Sequence, residues 1–181
     1  MSTTWLKNPF TLAIGVVLVA VMGGGQIAGA SPNPGVIAYF NGGTINLANG
    51  WEGAQVCAVA ATGTYCFSSQ AGYQAWLSNS SVVTDIGSTS NTNCPSALDL
   101  FSATGYKGTE LSLLDEAVWI NLSTYGFSAK TNSYKVGACK ASMTAAANGG
   151  GSVYPGPMAA GTNASSMQSG WASRIASAYI L

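Results

Sequence analysis

The stretch Gly126-Phe127-Ser128-Ala129-Lys130-Thr131-Asn132-Ser133-Tyr134-Lys135-Val136 recurs 44 residues later. There it reads Gly170-Trp171-Ala172-Ser173-Arg174-Ile175-Ala176-Ser177-Ala178-Tyr179-Ile180. Glycine, aromatic, basic residue, serine and β-branched residue stay in register without a gap. A period in this range marks one supersecondary unit built twice. The repeat speaks to architecture and leaves the activity open.

The segments around the repeat read as short strands. Residues 97–102 and 109–114 alternate, with Gly105-Tyr106-Lys107-Gly108 between them, and Trp119-Ile120-Asn121-Leu122 and residues 133–139 follow. The second unit runs through Ala141-Ser142-Met143, the Asn148-Gly149-Gly150-Gly151 turn, Val153-Tyr154 and residues 176–181. Short strands with glycine turns and a duplicated unit predict a Greek-key sandwich. Upstream, apolar runs from 36 to 67 are broken by Asn41-Gly42-Gly43, Asn49-Gly50 and Thr62-Gly63, which is hairpin punctuation. Residues 69–77 predict one short helix, capped by Ser68 or Ser69, with Tyr73, Trp76 and Leu77 on a single face. Residues 79–93 are rich in Ser, Thr and Asn and read as a linker or long loop.

Lys7 precedes a run without charge from Phe10 to Met22, followed by Gly23-Gly24-Gly25 and Ala28-Gly29-Ala30. Thirteen helical residues span about 20 Å, short of a ~30 Å hydrocarbon core. The segment therefore reads as a signal peptide over 1–30, cut after Ala30, and the mature chain as secreted and free of the membrane. The expected organisation is this leader, a β-hairpin and short-helix region with its linker over 31–93, and the repeat domain over 94–181.

Export accounts for the cysteines. Cys57, Cys66, Cys94 and Cys139 contain no C-x-x-C pair, and the chain has no His. A disulfide framework follows, with three connectivities open. A hairpin turning near Ala61-Thr62-Gly63 would set Cys57 opposite Cys66, which leaves Cys94 for Cys139. In the chain-entropy model these two links contribute roughly 3 and 4 kcal/mol.

Phe101-x4-Tyr106-x-Gly108 has the aromatic, aromatic, glycine spacing of the βγ-crystallin Greek-key motif. Ser133 and Ser177 sit where that family places the serine that ties the folded hairpin down. With Trp119-Ile120-Asn121-Leu122-Ser123, Tyr125-Gly126-Phe127 and Tyr134-Lys135-Val136-Gly137-Ala138-Cys139, the run from 98 to 180 resembles the secreted actinobacterial βγ-crystallin type. It is similar to proteins classed as family I36 peptidase inhibitors. In the second unit Met143, Asn148 and Gly150 are read as aromatic, aromatic and glycine places, with only the glycine kept. The resemblance implies an all-β, two-motif Greek-key β-sandwich, here preceded by a small disulfide-linked hairpin region with one short helix. Two four-stranded sheets are expected.

The family resemblance also raises calcium, carried by residues 128–133 and 172–177. Calcium takes six to eight oxygen ligands and favours carboxylates. These stretches offer Ser128, Asn132, Ser133, Ser173 and Ser177 but no carboxylate, with Lys130 and Arg174 beside them. They are expected to be vestigial sites with weak binding at most, and no other cofactor is expected.

The absence of His rules out a Ser-His-Asp triad and a histidine-ligated metal. Glu52, Asp85, Asp99, Glu110, Asp115 and Glu116 are read as solvated loop charges, so no enzyme activity is expected. Only 7% of residues are charged and formal net charge is zero, which argues against nucleic-acid binding by phosphate neutralisation. Two classes of function remain. One is a non-enzymatic binding protein of the protease-inhibitor type, whose partner is a secreted protease. The other is a structural or adhesive envelope protein that binds glycans or another copy of itself, with Trp51, Trp76, Trp119 and Trp171 as possible stacking groups.

Overall fold

A computed structural model describes residues 34–79, 94 and 96–181. The leader expected over 1–30 and most of the linker expected over 79–93 lie outside the described residues. The chain opens with two hairpins, β1 (Ile37–Phe40) with β2 (Gly43–Asn46) and β3 (Val56–Ala60) with β4 (Gly63–Phe67). Asn41 and Gly42 turn the first at φ 49° and 79°, the left-handed pair that a two-residue hairpin requires. The second sets Cys57 directly opposite Cys66, and the two are bonded.

Helix α1 (Gln70–Asn79) follows, as the sequence predicts. The Ser69 Oγ accepts from the Gly72 N–H at 3.2 Å and caps its first turn. Tyr73, Trp76 and Leu77 pack on Val56, Ala58 and Phe67. The helix thus covers one face of β3 and β4.

The first repeat unit supplies β5 (Leu98–Ala103), β6 (Lys107–Leu113), β7 (Ile120–Asn121) and β8 (Ser133–Lys135). The second supplies β9 (Ala141–Thr144), β10 (Asn163–Ala164) and β11 (Ser177–Ile180). Each unit lends a strand to the other: β10 pairs with β8, and β7 pairs with β11. The repeat domain therefore makes one sheet ordered β10-β8-β5-β6 and a second ordered β7-β11-β9. Val153, bridged to Thr144, stands where a fourth strand of the second sheet would run. The reciprocal exchange makes an all-β Greek-key sandwich.

The hairpins extend the first sheet. β3 pairs in parallel with β6, giving eight strands in the order β10-β8-β5-β6-β3-β4-β1-β2. The sheet runs across the boundary expected near residue 94, and the described residues belong to one compact unit. Leu98, Leu100, Leu111, Leu113, Tyr134, Met143, Ala178 and Ile180 fill the space between the sheets. Cys94 is bonded to Cys139, linking the entry of the first unit to the loop before β9.

Candidate functional site

The two repeat segments meet through a reciprocal pair of backbone hydrogen bonds. The Ala129 N–H donates to the Ile175 carbonyl at 2.9 Å, and the Ser173 N–H to the Thr131 carbonyl at 3.0 Å. Each bond is the other's image under the 44-residue shift. The serine of each repeat ties down a turn. Ser133 Oγ accepts from the Tyr106 N–H at 3.1 Å and donates to the Ala103 carbonyl at 2.7 Å. Ser177 Oγ accepts from the Gly149 N–H at 3.0 Å and donates to the Ala146 carbonyl at 2.7 Å.

These partners correct the register read from the second unit. Phe101 pairs with Ser133 and Thr144 with Ser177, so Thr144 holds the aromatic place and Met143 matches Leu100. Gly149, at φ 75°, matches Tyr106, at φ 59°, and Gly151, at φ 71°, matches Gly108, at φ 78°. Gly150 has φ −78° and needs no glycine on that account. Three successive glycines left the spacing ambiguous by one residue, and cross-strand pairing resolves it.

The stretches expected to be weak calcium sites offer few uncommitted side-chain oxygens. The Ser133 and Ser177 hydroxyls are each committed to two backbone groups, as above. Asn132 directs its amide nitrogen to the carbonyls of Ser102, at 2.9 Å, and Lys130, at 3.1 Å. It lies 3.4 Å from Ser173 Oγ, so the fold does bring these two candidates together. Ser128 is half-buried in the turn. Among the described residues no three of His, Cys, Asp or Glu group together. The side-chain oxygens on offer are hydroxyls and the Asn132 amide oxygen, which lies 3.5 Å from Ser173 Oγ, without the anionic oxygens that calcium favours.

Two other surfaces carry chemistry, and they occupy equivalent positions in the two units. In the first unit Asp99, Phe101, Glu110 and Lys135 share the outward face of β5, β6 and β8. In the second the equivalents are Ser142, Thr144, Val153 and Tyr179. The correspondence follows from the pairs Asp99↔Lys135 with Ser142↔Tyr179, and Phe101↔Glu110 with Thr144↔Val153. Duplication has left one face charged and the other apolar.

The apolar face holds a groove of about 480 Å³ lined by Trp119, Tyr154, Met158, Tyr179, Val153 and Leu181, with Lys140 and Ser142 as its polar groups. Trp119 and Tyr179 have ring centroids 5.2 Å apart. Trp119 rests against Gly149, where any Cβ would overlap its indole. Val153 and Leu181 are 60% and 56% exposed. Of the tryptophans considered for stacking, Trp51 packs on Phe127 and donates to the Tyr125 carbonyl, and Trp171 packs on Tyr154. Trp76 belongs to the α1 packing. Trp119 is the one that lines the groove.

On the charged face, Asp99 and Glu110 are strand residues and not the solvated loop charges expected. Glu110 is 5% exposed. Burial pushes its carboxyl up to about 7, with the Asp99 charge adding to the shift and Lys135 and Gln70 opposing it. Burial likewise pushes Asp99 up to about 6, against a hydrogen bond from Ser112 and the charge of Lys135. Ser112 Oγ donates to Asp99 at 2.8 Å and lies 2.6 Å from the Tyr73 hydroxyl, whose own pKa burial raises. Sequence spacing missed this group because a hairpin register and a helix from another region assemble it.

No family model matches the chain, and no curated protein does. Among solved structures it is similar to a βγ-crystallin from Ciona intestinalis, at 16% identity and a TM-score of 0.40, over 47% of this chain and 99% of that one. It is similar to the N-terminal domain of protein S at 16% identity and a TM-score of 0.40, over 48% and 96%. A βγ-crystallin domain from Flavobacterium johnsoniae aligns at 13% identity and a TM-score of 0.39, over 46% and 92%.

Proposed function

We propose that this chain is an exported, non-catalytic binding protein that receives an apolar side chain of a partner protein in the groove beside Trp119 and Tyr179. The observation that carries this reading is the groove itself, with its aromatic floor and the exposed aliphatic rim of Val153 and Leu181. Exposed aliphatics around a preformed aromatic hollow are what a protein partner buries, and Trp and Tyr dominate the energetic centres of such interfaces. Disulfides suit an oxidising compartment and support export. The partner is a secreted protease or a second copy of the chain. The low charge of the chain favours association of either kind. The Cys57–Cys66 link joins two buried residues within a sheet, so it holds no protruding loop for insertion into a protease cleft.

Val153→Asp tests the proposal, because an exposed rim position accepts a charge without unfolding the sandwich. Inhibition assays against secreted serine and metalloproteases, with sedimentation velocity for self-association, give the readouts. Whichever activity the native chain shows should fall at least about tenfold in Val153→Asp, roughly 1.4 kcal/mol. A native chain that neither inhibits nor self-associates, or a variant that retains full activity, would overturn the reading.

A further inference from the structure

We propose that the charged face of the first unit is a binding site for an organic cation, an alkylammonium or guanidinium group, and that Lys135 is its tethered stand-in. The inference is independent of the Trp119 groove. Two hollows, of about 280 and 240 Å³, open on this face, and the Lys135 side chain lines both. Asp99 borders one and Glu110 the other. Asp99 lies opposite Ser112 and Glu110 opposite Phe101, so the two carboxyls are diagonal neighbours with Cα atoms about 7–8 Å apart. Lys135 lines both hollows and is the group they share.

Recognition of such a head is already visible. The Lys135 ammonium sits 4.8 Å from the Tyr106 ring centroid and 5.5 Å from that of Phe101. Those rings meet edge to face at 5.7 Å and form an aromatic corner. An aromatic corner beside carboxylates attracts ammonium and guanidinium groups through the ring quadrupole and the anions together. Lys135 is an exposed side chain, so displacing it costs little packing. One lysine faces two carboxyls, and both remain above their ordinary range despite its charge. With both ionised, the face keeps one uncompensated negative charge that an incoming cation would neutralise. Gln70 and Tyr73 of α1 wall the other side and supply hydrogen-bonding groups.

The pseudo-symmetric face serves as an internal comparison. There Ser142, Val153 and Tyr179 replace Asp99, Glu110 and Lys135. Anions, tethered cation and Phe101 are lost together, as expected if they act as one recognition unit.

The test is calorimetric titration of the full exported chain with agmatine, which carries both a guanidinium and an ammonium group, at pH 8. Lys135→Met removes the competing ammonium and keeps the stem. It should bind agmatine with a Kd in about the millimolar range or tighter, at least ~5-fold tighter than the native chain. Glu110→Gln and Asp99→Asn in the Lys135→Met background should each weaken binding by at least about 5-fold, with unfolding transitions confirming that they fold. A parallel titration with a blocked Gly-Arg-Gly peptide separates the sources. Tighter binding of the peptide identifies a partner protein's side chain, and equal or weaker binding identifies a free amine. Both results keep the site. Absence of heat for Lys135→Met with either probe at about 10 mM, or equal affinity after Glu110→Gln, would overturn it.

Discussion

Gly108 shows how a single residue fixes the folded hairpin of the first unit. Its φ of 78° lies in the left-handed region, and a Cβ there would overlap Ser102 Oγ and press on the Ala103 backbone. Ser102 Oγ in turn accepts from the Thr109 N–H at 2.8 Å, so it cannot yield without breaking the turn. Gly108→Val should therefore destabilise the fold by more than about 2 kcal/mol, read as a fall in melting temperature of at least ~5 °C. An unchanged melting temperature would mean that the hairpin is not built around this residue. The glycine was legible in the sequence because the constraint is local: the spacing from Phe101 and Tyr106 lies within eight residues. Its counterpart Gly151 was not legible, since Gly149-Gly150-Gly151 offers three candidates. The choice is made by Ser177, which reaches the turn from 26 or more residues downstream.

At the scale of elements, β5 and β6 carry two carboxyls whose folded pKa values exceed their ordinary ones. Asp99 rises from 3.8 to about 6 and Glu110 from 4.5 to about 7. Between the ordinary and the raised values the folded chain binds more protons than the unfolded one, so stability falls as pH rises. The stabilisation is fully present below pH ~4 and lost by pH ~8, a change on the order of 3 kcal/mol for each carboxyl before solvent screening reduces it. Thermal unfolding should show a higher melting temperature at pH 5 than at pH 8, and Glu110→Gln should flatten roughly half of that slope. A melting temperature that climbs steadily from pH 5 to pH 8 would show that these carboxyls are stabilised by partners and not penalised by burial. The strands themselves were readable from alternation, and so were the two hairpins and α1. The burial of Asp99 and Glu110 was not, because it depends on register between β5 and β6 and on a helix from an upstream segment resting beside them.

Across the whole molecule the strand exchange joins the two units, and the Cys94–Cys139 link ties the start of the first to the entry of the second. Calcium is the ligand weighed for residues 128–133 and 172–177, yet one serine of each stretch, Ser133 and Ser177, spends its hydroxyl on backbone groups. Calcium at about millimolar concentration should therefore shift the melting temperature by less than ~2 °C, whereas saturating a tight site would shift it by far more. A micromolar Kd by calorimetry on chelator-treated protein would return calcium to the head of the possible ligands. The sequence by itself determined the duplicated unit, the Greek-key class and the hairpin that sets Cys57 opposite Cys66, because each is written in local spacing or in a fixed period, whereas the Cys94–Cys139 pairing followed only by elimination and the role of Ser133 and Ser177 only from resemblance. Only the tertiary structure decided that the hairpin region joins the first sheet through β3 and β6. It likewise decided that equivalent faces of the two units became one charged and one apolar surface. Those outcomes rest on long-range pairing and burial, in which residues far apart in the chain share one environment, and no local pattern encodes which of them will meet.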